Sequence, residues 1–292
     1  MSAESNQLFR QHERLFESNR FVYPVVSRRS GGVSIGVNLN PDKVCNFDCI
    51  YCQVNRRSEA TTRFVETDAL LAELDQMLDL ATSGKLFETT KFAATPVALR
   101  RVNDIAFSGD GEPTTYRNFD EIITASADVK RRHGLDGVKM VLITNASRFH
   151  RPHVKRGLAV LDANNGEIWA KLDAGSEAYY QLIERTTIPF HRILTNITAA
   201  AQVRPLVIQS LFMRVDGDGP SDDELAAFCD RLNEVTTAGG MLSLVQVYTV
   251  ARPPAESNVS ALPDAEVDRI VAMVRSRTSL PAQAFYGVAA DD

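Results

Sequence analysis

Apolar residues gather along the chain into six short runs: Val33 to Leu39, Asp104 to Ser108, Lys139 to Thr144, Glu167 to Leu172, Leu206 to Met213 and Leu242 to Val250. Their cores, such as Met140-Val141-Leu142-Ile143 and Leu206-Val207-Ile208, are continuous rather than alternating. That pattern suits strands buried on both faces, as in a parallel sheet covered by helices. Between the runs the apolar spacing turns helical. Thr67 to Leu80 places Leu70, Leu71, Leu74 and Leu78 on one stripe. Ser221-Asp222-Asp223-Glu224 has the spacing of a capping box ahead of Leu225, Phe228 and Leu232. Pro263-Asp264 opens a last helix that runs to about Arg275.

After the first unit, strand starts recur about every 30 to 40 residues, the size of a βαβ unit. The pattern predicts an α/β fold: a partial (β/α)6 TIM-like barrel with parallel strands, in one domain over residues 26–292. A polar, helical lead-in is expected over residues 1–25. In such an architecture the chemistry belongs on loops at the C-terminal ends of the strands.

Composition narrows the class without naming the function. The chain has 292 residues, of which 44% are apolar and 24% charged, ordinary for a globular protein. Its length supports a core without disulfides. The net charge of −5 gives no general electrostatic footprint for nucleic acid. No apolar run approaches the roughly 20 residues that span a bilayer. Met1 to Gln7 lacks the basic and apolar regions of a signal peptide. The expectation is a cytoplasmic protein with no membrane partner, in which clustered thiols serve as ligands rather than disulfides.

Three of the four cysteines fall within Cys45-Asn46-Phe47-Asp48-Cys49-Ile50-Tyr51-Cys52, directly after the first predicted strand. Thiolates at this spacing can surround one metal cluster, and iron–sulfur clusters use such ligands. Three ligands leave one iron of a [4Fe–4S] cube without a protein partner, which implies a bound small molecule. Zinc is the rival metal, but a structural zinc site wants a fourth Cys or His, and no histidine lies within the loop. Cys229 sits in a helical pattern and reads as a small apolar core residue. His150 and His153 lack a third ligand and read as surface residues.

A Gly-rich segment, Ser108-Gly109-Asp110-Gly111-Glu112-Pro113, ends the second predicted strand. Its glycines let backbone approach a ligand, and its carbonyls or carboxylates can accept a ligand's ammonium hydrogens. Taken alone, it also reads as a turn.

The CxxxCxxC spacing, with an aromatic before the last cysteine, resembles the radical S-adenosylmethionine (SAM) superfamily. Val26-Ser27-Arg28-Arg29, Val37-Asn38-Leu39, Cys45 to Cys52, Phe107 to Thr114 and Arg252-Pro253-Pro254-Ala255-Glu256 narrow the resemblance to its wyosine-synthase-like iron–sulfur oxidoreductases, from about Tyr23 to Leu262. The resemblance implies a radical SAM core in which Cys45, Cys49 and Cys52 bind a [4Fe–4S] cluster. The fourth iron would chelate S-adenosylmethionine, and reductive cleavage would give methionine and a 5′-deoxyadenosyl radical that takes hydrogen from a substrate. An electron donor such as flavodoxin or ferredoxin is implied as partner. Gly109, Asp110, Gly111 and Glu112 become cofactor-binding candidates, with Gly-Asp-Gly-Glu standing where members often have Gly-Gly-Glu.

By the same analogy, Asn145 and Asp173 at later strand ends suit ribose and carboxylate contacts, or else serve as caps and turns. Tyr51 is placed near the adenine, with core filler as its alternative. Gln209 points into the barrel or is a satisfied core residue. Arg252 and Glu256 lie over the barrel mouth or on a rigid exposed connection. Lys130-Arg131-Arg132 reads as a helix-terminal charge run. The substrate is left as a small molecule or a protein, with tRNA-base modification as an alternative and a non-catalytic electron-transfer protein as a further one. Wyosine synthases proper carry a second cluster on further cysteines. Only Cys229 remains for that here, which speaks against condensing pyruvate onto a tRNA guanosine.

Overall fold

The computed structural model describes residues 16–27, 29–56, 58–60, 62–252, 254 and 256–287. The chain divides into two compact units. One comprises Met1–Cys45, Ser58–Ile143 and Arg151–Glu167; the other comprises Asn46–Arg57, Thr144–His150 and Ile168–Asp292.

The first unit carries β1 (Val22–Ser27), β2 (Gly32–Asn38), α1 (Thr67–Thr82), β3 (Val102–Ser108), α2 (Phe119–Arg132), β4 (Lys139–Thr144) and α3 (Pro152–Asp162). β2 pairs in parallel with β3, and β3 with β4, as the continuous apolar runs predict. β1 pairs antiparallel with β2. The strand corrects the end of the expected helical lead-in, whose residues 1–15 lie outside the described residues. Val22, Val25 and Val26 are buried, and β-branched side chains fit a pleated surface better than a helix. The carboxylate of Glu73 on α1 accepts hydrogen bonds from the backbone N–H groups of Arg20, Phe21 and Val22, which pins the start of this strand. On α1 the buried stripe is Leu70, Leu74, Met77 and Leu78; Leu71 is half-buried. Lys130, Arg131 and Arg132 form the last turn of α2, as the helix-terminal charge run predicts, and Lys130 turns inward. It is buried at the end of α2 and donates to the Asn164 carbonyl at 2.7 Å.

The second unit carries β5 (Gly166–Lys171), α4 (Glu177–Glu184), α5 (Phe190–Ala201), β6 (Leu206–Leu211), β7 (Met213–Val215), α6 (Asp222–Thr237), β8 (Leu242–Tyr248), β9 (Val259–Ala261), α7 (Asp264–Thr278) and β10 (Ala282–Phe285). β5 pairs in parallel with β6, β6 with β8, and β8 with β10. The fold is α/β with a mostly parallel sheet. The predicted run Leu206 to Met213 is broken at Phe212, after which β7 pairs antiparallel with β9. β10 escapes a reading of apolar runs because Ala-Gln-Ala-Phe is too short to form one.

The capping box at α6 forms by half. Ser221 Oγ accepts from the Glu224 N–H at 3.1 Å, a contact of the kind worth about 1 kcal/mol. Glu224 does not reach back to Ser221. Its carboxylate accepts instead from the N–H groups of Gly175 and Ser176, and from the Ser176 hydroxyl, in the loop after β5. Cys229 is buried on α6, with its thiol pushed up by burial. No described helix is long and apolar enough to cross a membrane.

Candidate active site

The sequence candidates divide between the units. In the first, Cys45 lies beyond β2, and Gly109 to Glu112 follow β3. Asn38, the last residue of β2, organises that loop: its Nδ2 donates to Asp110 Oδ2 at 2.7 Å, and its Oδ1 accepts from the N–H groups of Asp110 and Asn40. Gly109 has φ 151°, and a Cβ there would strike the Asn38 side chain. A Cβ on Gly111 would strike the Val44 carbonyl, so only glycine permits the approach of this loop to the segment that carries Cys45. Glu112 is buried and turned into its own loop, where it accepts from the Thr114 N–H and hydroxyl. Beside Gly111, the buried Asn40 Oδ1 has no hydrogen-bond partner. An orphaned acceptor in a glycine cradle fits a ligand that brings ammonium or hydroxyl hydrogens.

In the second unit the residues 183–186 grip the cysteine loop. The N–H groups of Asp48 and Ile50 donate to the carbonyls of Glu184 and Ile183, at 3.1 and 2.9 Å. Thr186 Oγ1 donates to the Asn46 carbonyl. Arg185, in the left-handed region at φ 44°, donates through Nε to the Asp48 carbonyl. The Phe47 ring packs edge-on against Tyr180 of α4, which stacks on Phe190 of α5. Asn145 donates to Asn46 Oδ1 at 2.9 Å and accepts from the Ser147 N–H, so it holds the loop from the end of β4.

Charged groups line the inner end of this loop. Asp173 is fully buried. Its Oδ1 accepts from the Leu211 N–H at 2.7 Å, while Oδ2 accepts from the Tyr51 hydroxyl and pairs with Lys171 Nζ at 3.0 Å. Lys171 also donates to the Tyr248 hydroxyl at 3.0 Å and lies over the Tyr51 ring. Burial alone would push Lys171 down, but the surrounding Asp173, Tyr248 and Glu184 together hold it well above its ordinary value. Burial and then Asp173 push Tyr51 well up. Asp173 therefore acts on Tyr51 and Lys171.

Glu184 carried no motif and is missing from the sequence candidates. Its Oε2 lies 2.8 Å from Cys49 Sγ, and Oε1 lies 3.3 Å from the Tyr51 hydroxyl. Burial, then the charge of Asp173, push its carboxyl up to about 8. Burial and then Glu184 push the Cys49 thiol well up. Glu256 pairs with Arg185 at 2.8 Å, and the Arg252 carbonyl accepts from Gln53 Nε2 at 3.2 Å. Pro253 and Ala255 of that segment lie outside the described residues, as does Arg28.

The three loop cysteines form no disulfide and are half-buried. Arg56 Nη2 donates to Cys52 Sγ at 3.6 Å, a cation suited to sulfur that carries negative charge. Among the described residues, no three His, Cys, Asp or Glu side chains converge to hold a metal ion. In donor chemistry the loop fits an iron–sulfur cluster, which takes thiolates.

The chain is 26% identical over 234 residues to a "UPF0026 protein" of Helicobacter pylori, covering 79% of this chain and 66% of that protein. It is 24% identical over 259 residues to a "GTPase Obg" of Brachyspira hyodysenteriae, covering 87% of this chain and 33% of that one. The chain thus spans from a third to just under two thirds of the length of these relatives. Among solved structures, TYW1 with a lysine–pyruvate adduct bound superposes with a TM-score of 0.55 at 15% identity, covering 96% of this chain and 91% of the other. That likeness shows the fold. The sequence profile of the radical SAM superfamily matches residues 39–232, from the end of β2 through the cysteine loop into α6. The chain belongs to the radical SAM superfamily.

Proposed function

We propose that Cys45, Cys49 and Cys52 hold a [4Fe–4S] cluster, and that the enzyme uses S-adenosylmethionine to take hydrogen from a small molecule or a protein. A cluster bound there supplies, once reduced, the electron that cleaves S-adenosylmethionine to methionine and a 5′-deoxyadenosyl radical. The observation that carries the reading is the cysteine loop itself. It offers three thiols on eight residues, none of them in a disulfide, and is clamped at Asn46, Asp48 and Ile50 by Asn145 and residues 183–186.

The chain's own residues divide the remaining work. Asn38 shapes the Gly109–Gly111 turn, and Asn40 Oδ1 with the carbonyls of that turn accepts the ammonium hydrogens of the cofactor. Asn145 holds Asn46, and thereby the loop, in place. Asp173 orients the Tyr51 hydroxyl and keeps Lys171 charged. Arg56 offsets negative charge on the Cys52 sulfur. A flavodoxin or ferredoxin serves as electron donor. Cys229, the one cysteine outside the loop, is buried within α6 and offers nothing to a second cluster, which sets back the tRNA-base alternative.

The test is anaerobic reconstitution with iron and sulfide, followed by S-adenosylmethionine and a strong reductant. Release of 5′-deoxyadenosine supports the assignment. A protein that binds iron and sulfide but releases none, or whose release survives Cys49→Ala, overturns it.

A further inference from the structure

Four polar side chains stand in one row across the parallel strands of the second unit: Lys171, Gln209, Gln246 and, exposed on β10, Gln283. Lys171 on β5 is the register partner of Gln209 on β6, and Gln209 is the register partner of Gln246 on β8. Register partners share a face of the sheet. The same face carries Tyr248, two residues beyond Gln246, whose hydroxyl meets Lys171 from a strand two positions away. Gln209 and Gln246 are 2% and 3% exposed, yet they lie in the middle of strands where apolar residues would pack more cheaply.

Their amides are half satisfied. Gln209 Nε2 donates to Gln246 Oε1 at 3.2 Å, and this is the one side-chain hydrogen bond of either residue among the described residues. One acceptor, Gln209 Oε1, and one donor group, Gln246 Nε2, are left over. Turning both amides over exchanges the roles and still leaves one donor group and one acceptor. Neither leftover group is sealed from solvent, so a ligand that brings one donor and one acceptor can reach both.

Charge selects the kind of ligand. Lys171 is the cation of the row, and its charge is already taken by Asp173 at 3.0 Å. An added carboxylate or phosphate would face that buried acid without a free counter-ion. A neutral group that brings both a donor and an acceptor meets no such penalty.

We infer that Gln209 and Gln246, beside the Lys171–Tyr248 bond, form a substrate subsite for a neutral amide edge, an N–H next to a C=O as in a carboxamide or a lactam. Calling the ligand a substrate rests on the radical SAM reading. The binding chemistry does not.

The experiment uses the full chain with 15N-labelled glutamine and follows the side-chain amide resonances of Gln209 and Gln246, assigned through Gln209→Met and Gln246→Met. The probe is 2-pyrrolidinone, a bare lactam edge, with N-methyl-2-pyrrolidinone and acetate as controls that lack the N–H. Saturable shifts of both resonances with 2-pyrrolidinone are expected, at least tenfold weaker with either control, and lost for Gln246 in a Gln209→Met protein that keeps its folded spectrum. Stronger binding of nicotinamide than of uridine names a carboxamide as the source, and the reverse a nucleobase; either supports the edge. Equal shifts with N-methyl-2-pyrrolidinone or acetate overturn the proposal. So does the absence of any saturable shift, the result for a row filled by water. Release of 5′-deoxyadenosine, measured on the same preparation, separates the two readings. Probe binding without release counts against the cofactor assignment, and release without probe binding counts against the subsite.

Discussion

Glu184 Oε2 accepts a hydrogen bond from the Cys49 thiol at 2.8 Å, between residues 135 positions apart in the chain. Two groups that both prefer a proton thus meet at the candidate cluster ligand. In the cluster-free protein the Cys49 thiol is held well up by burial and then by Glu184, while Glu184 itself is pushed up to about 8. Below that value Glu184 is mostly neutral and opposes the thiolate little; above it the new charge opposes it strongly. Alkylation of Cys49 in cluster-free protein should therefore be slow. Glu184→Gln should speed it by about threefold to tenfold, since one pKa unit is a factor of ten in thiolate. The gap between the two proteins should widen above about pH 8. An equal rate at all pH values, read by mass spectrometry of the Cys49 peptide, would show that the contact has no electrostatic consequence.

The four cysteines should separate three from one. Cys45→Ala, Cys49→Ala and Cys52→Ala should each lose the visible absorption of the reconstituted cluster and the release of 5′-deoxyadenosine. Cys229→Ala should keep both. Its cost should be confined to packing, about 1 kcal/mol or less in urea unfolding, because a small buried group is removed from a helix face.

Arg185 ties Asp48 to Glu256 from a left-handed backbone position. Its side chain is 39% exposed, so the ion pairs add little to global stability. Arg185→Gly relieves the positive φ and removes the guanidinium. We expect a urea midpoint close to that of the parent, together with faster loss of iron from the reconstituted protein to a chelator. Arg185→Lys should restore neither the bond to the Asp48 carbonyl nor the iron retention, since one ammonium does not reproduce the guanidinium fork. Unchanged iron loss in Arg185→Gly would assign the residue to the surface.

Asp104 on β3 is buried and accepts from the Ser34 hydroxyl on the neighbouring β2. Burial pushes its carboxyl up, against the hydrogen bond from Ser34. With the folded value above the unfolded one, near about 4, the folded state binds the proton more tightly. This contribution to stability is complete below the unfolded value and is lost as pH rises through the folded one. Asp104→Asn lacks the titration and keeps an acceptor for Ser34. Its stability relative to the parent should rise from pH 4 towards neutrality, read from urea midpoints at each pH. A difference that stays flat would place the carboxyl at its ordinary value.

The six predicted strands and their order were legible because each is a continuous apolar run, a signal carried by neighbours in sequence. Boundaries shifted where a local rule met a tertiary demand. Phe212 breaks one run so that β7 can pair with β9, and Met77 replaces Leu71 on the buried stripe of α1. β1 was hidden because its position depends on Glu73, more than fifty residues further on. Asp173 and Asn145 were found as polar residues at strand ends, but their partners decide what they do. Asp173 engages Tyr51, Lys171 and the Leu211 N–H, and Asn145 engages Asn46.

The sequence by itself determined the donor set and the chemistry it permits, because three thiols on eight residues are held together by covalent spacing whatever the rest of the chain does. Only the tertiary structure decided which side chains surround that loop. Glu184, Arg185 and the Gln209–Gln246 pair sit in segments with no motif of their own. Their roles arise from strand register and helix packing, which bring together groups far apart in sequence and bury them where each polar atom must find a partner.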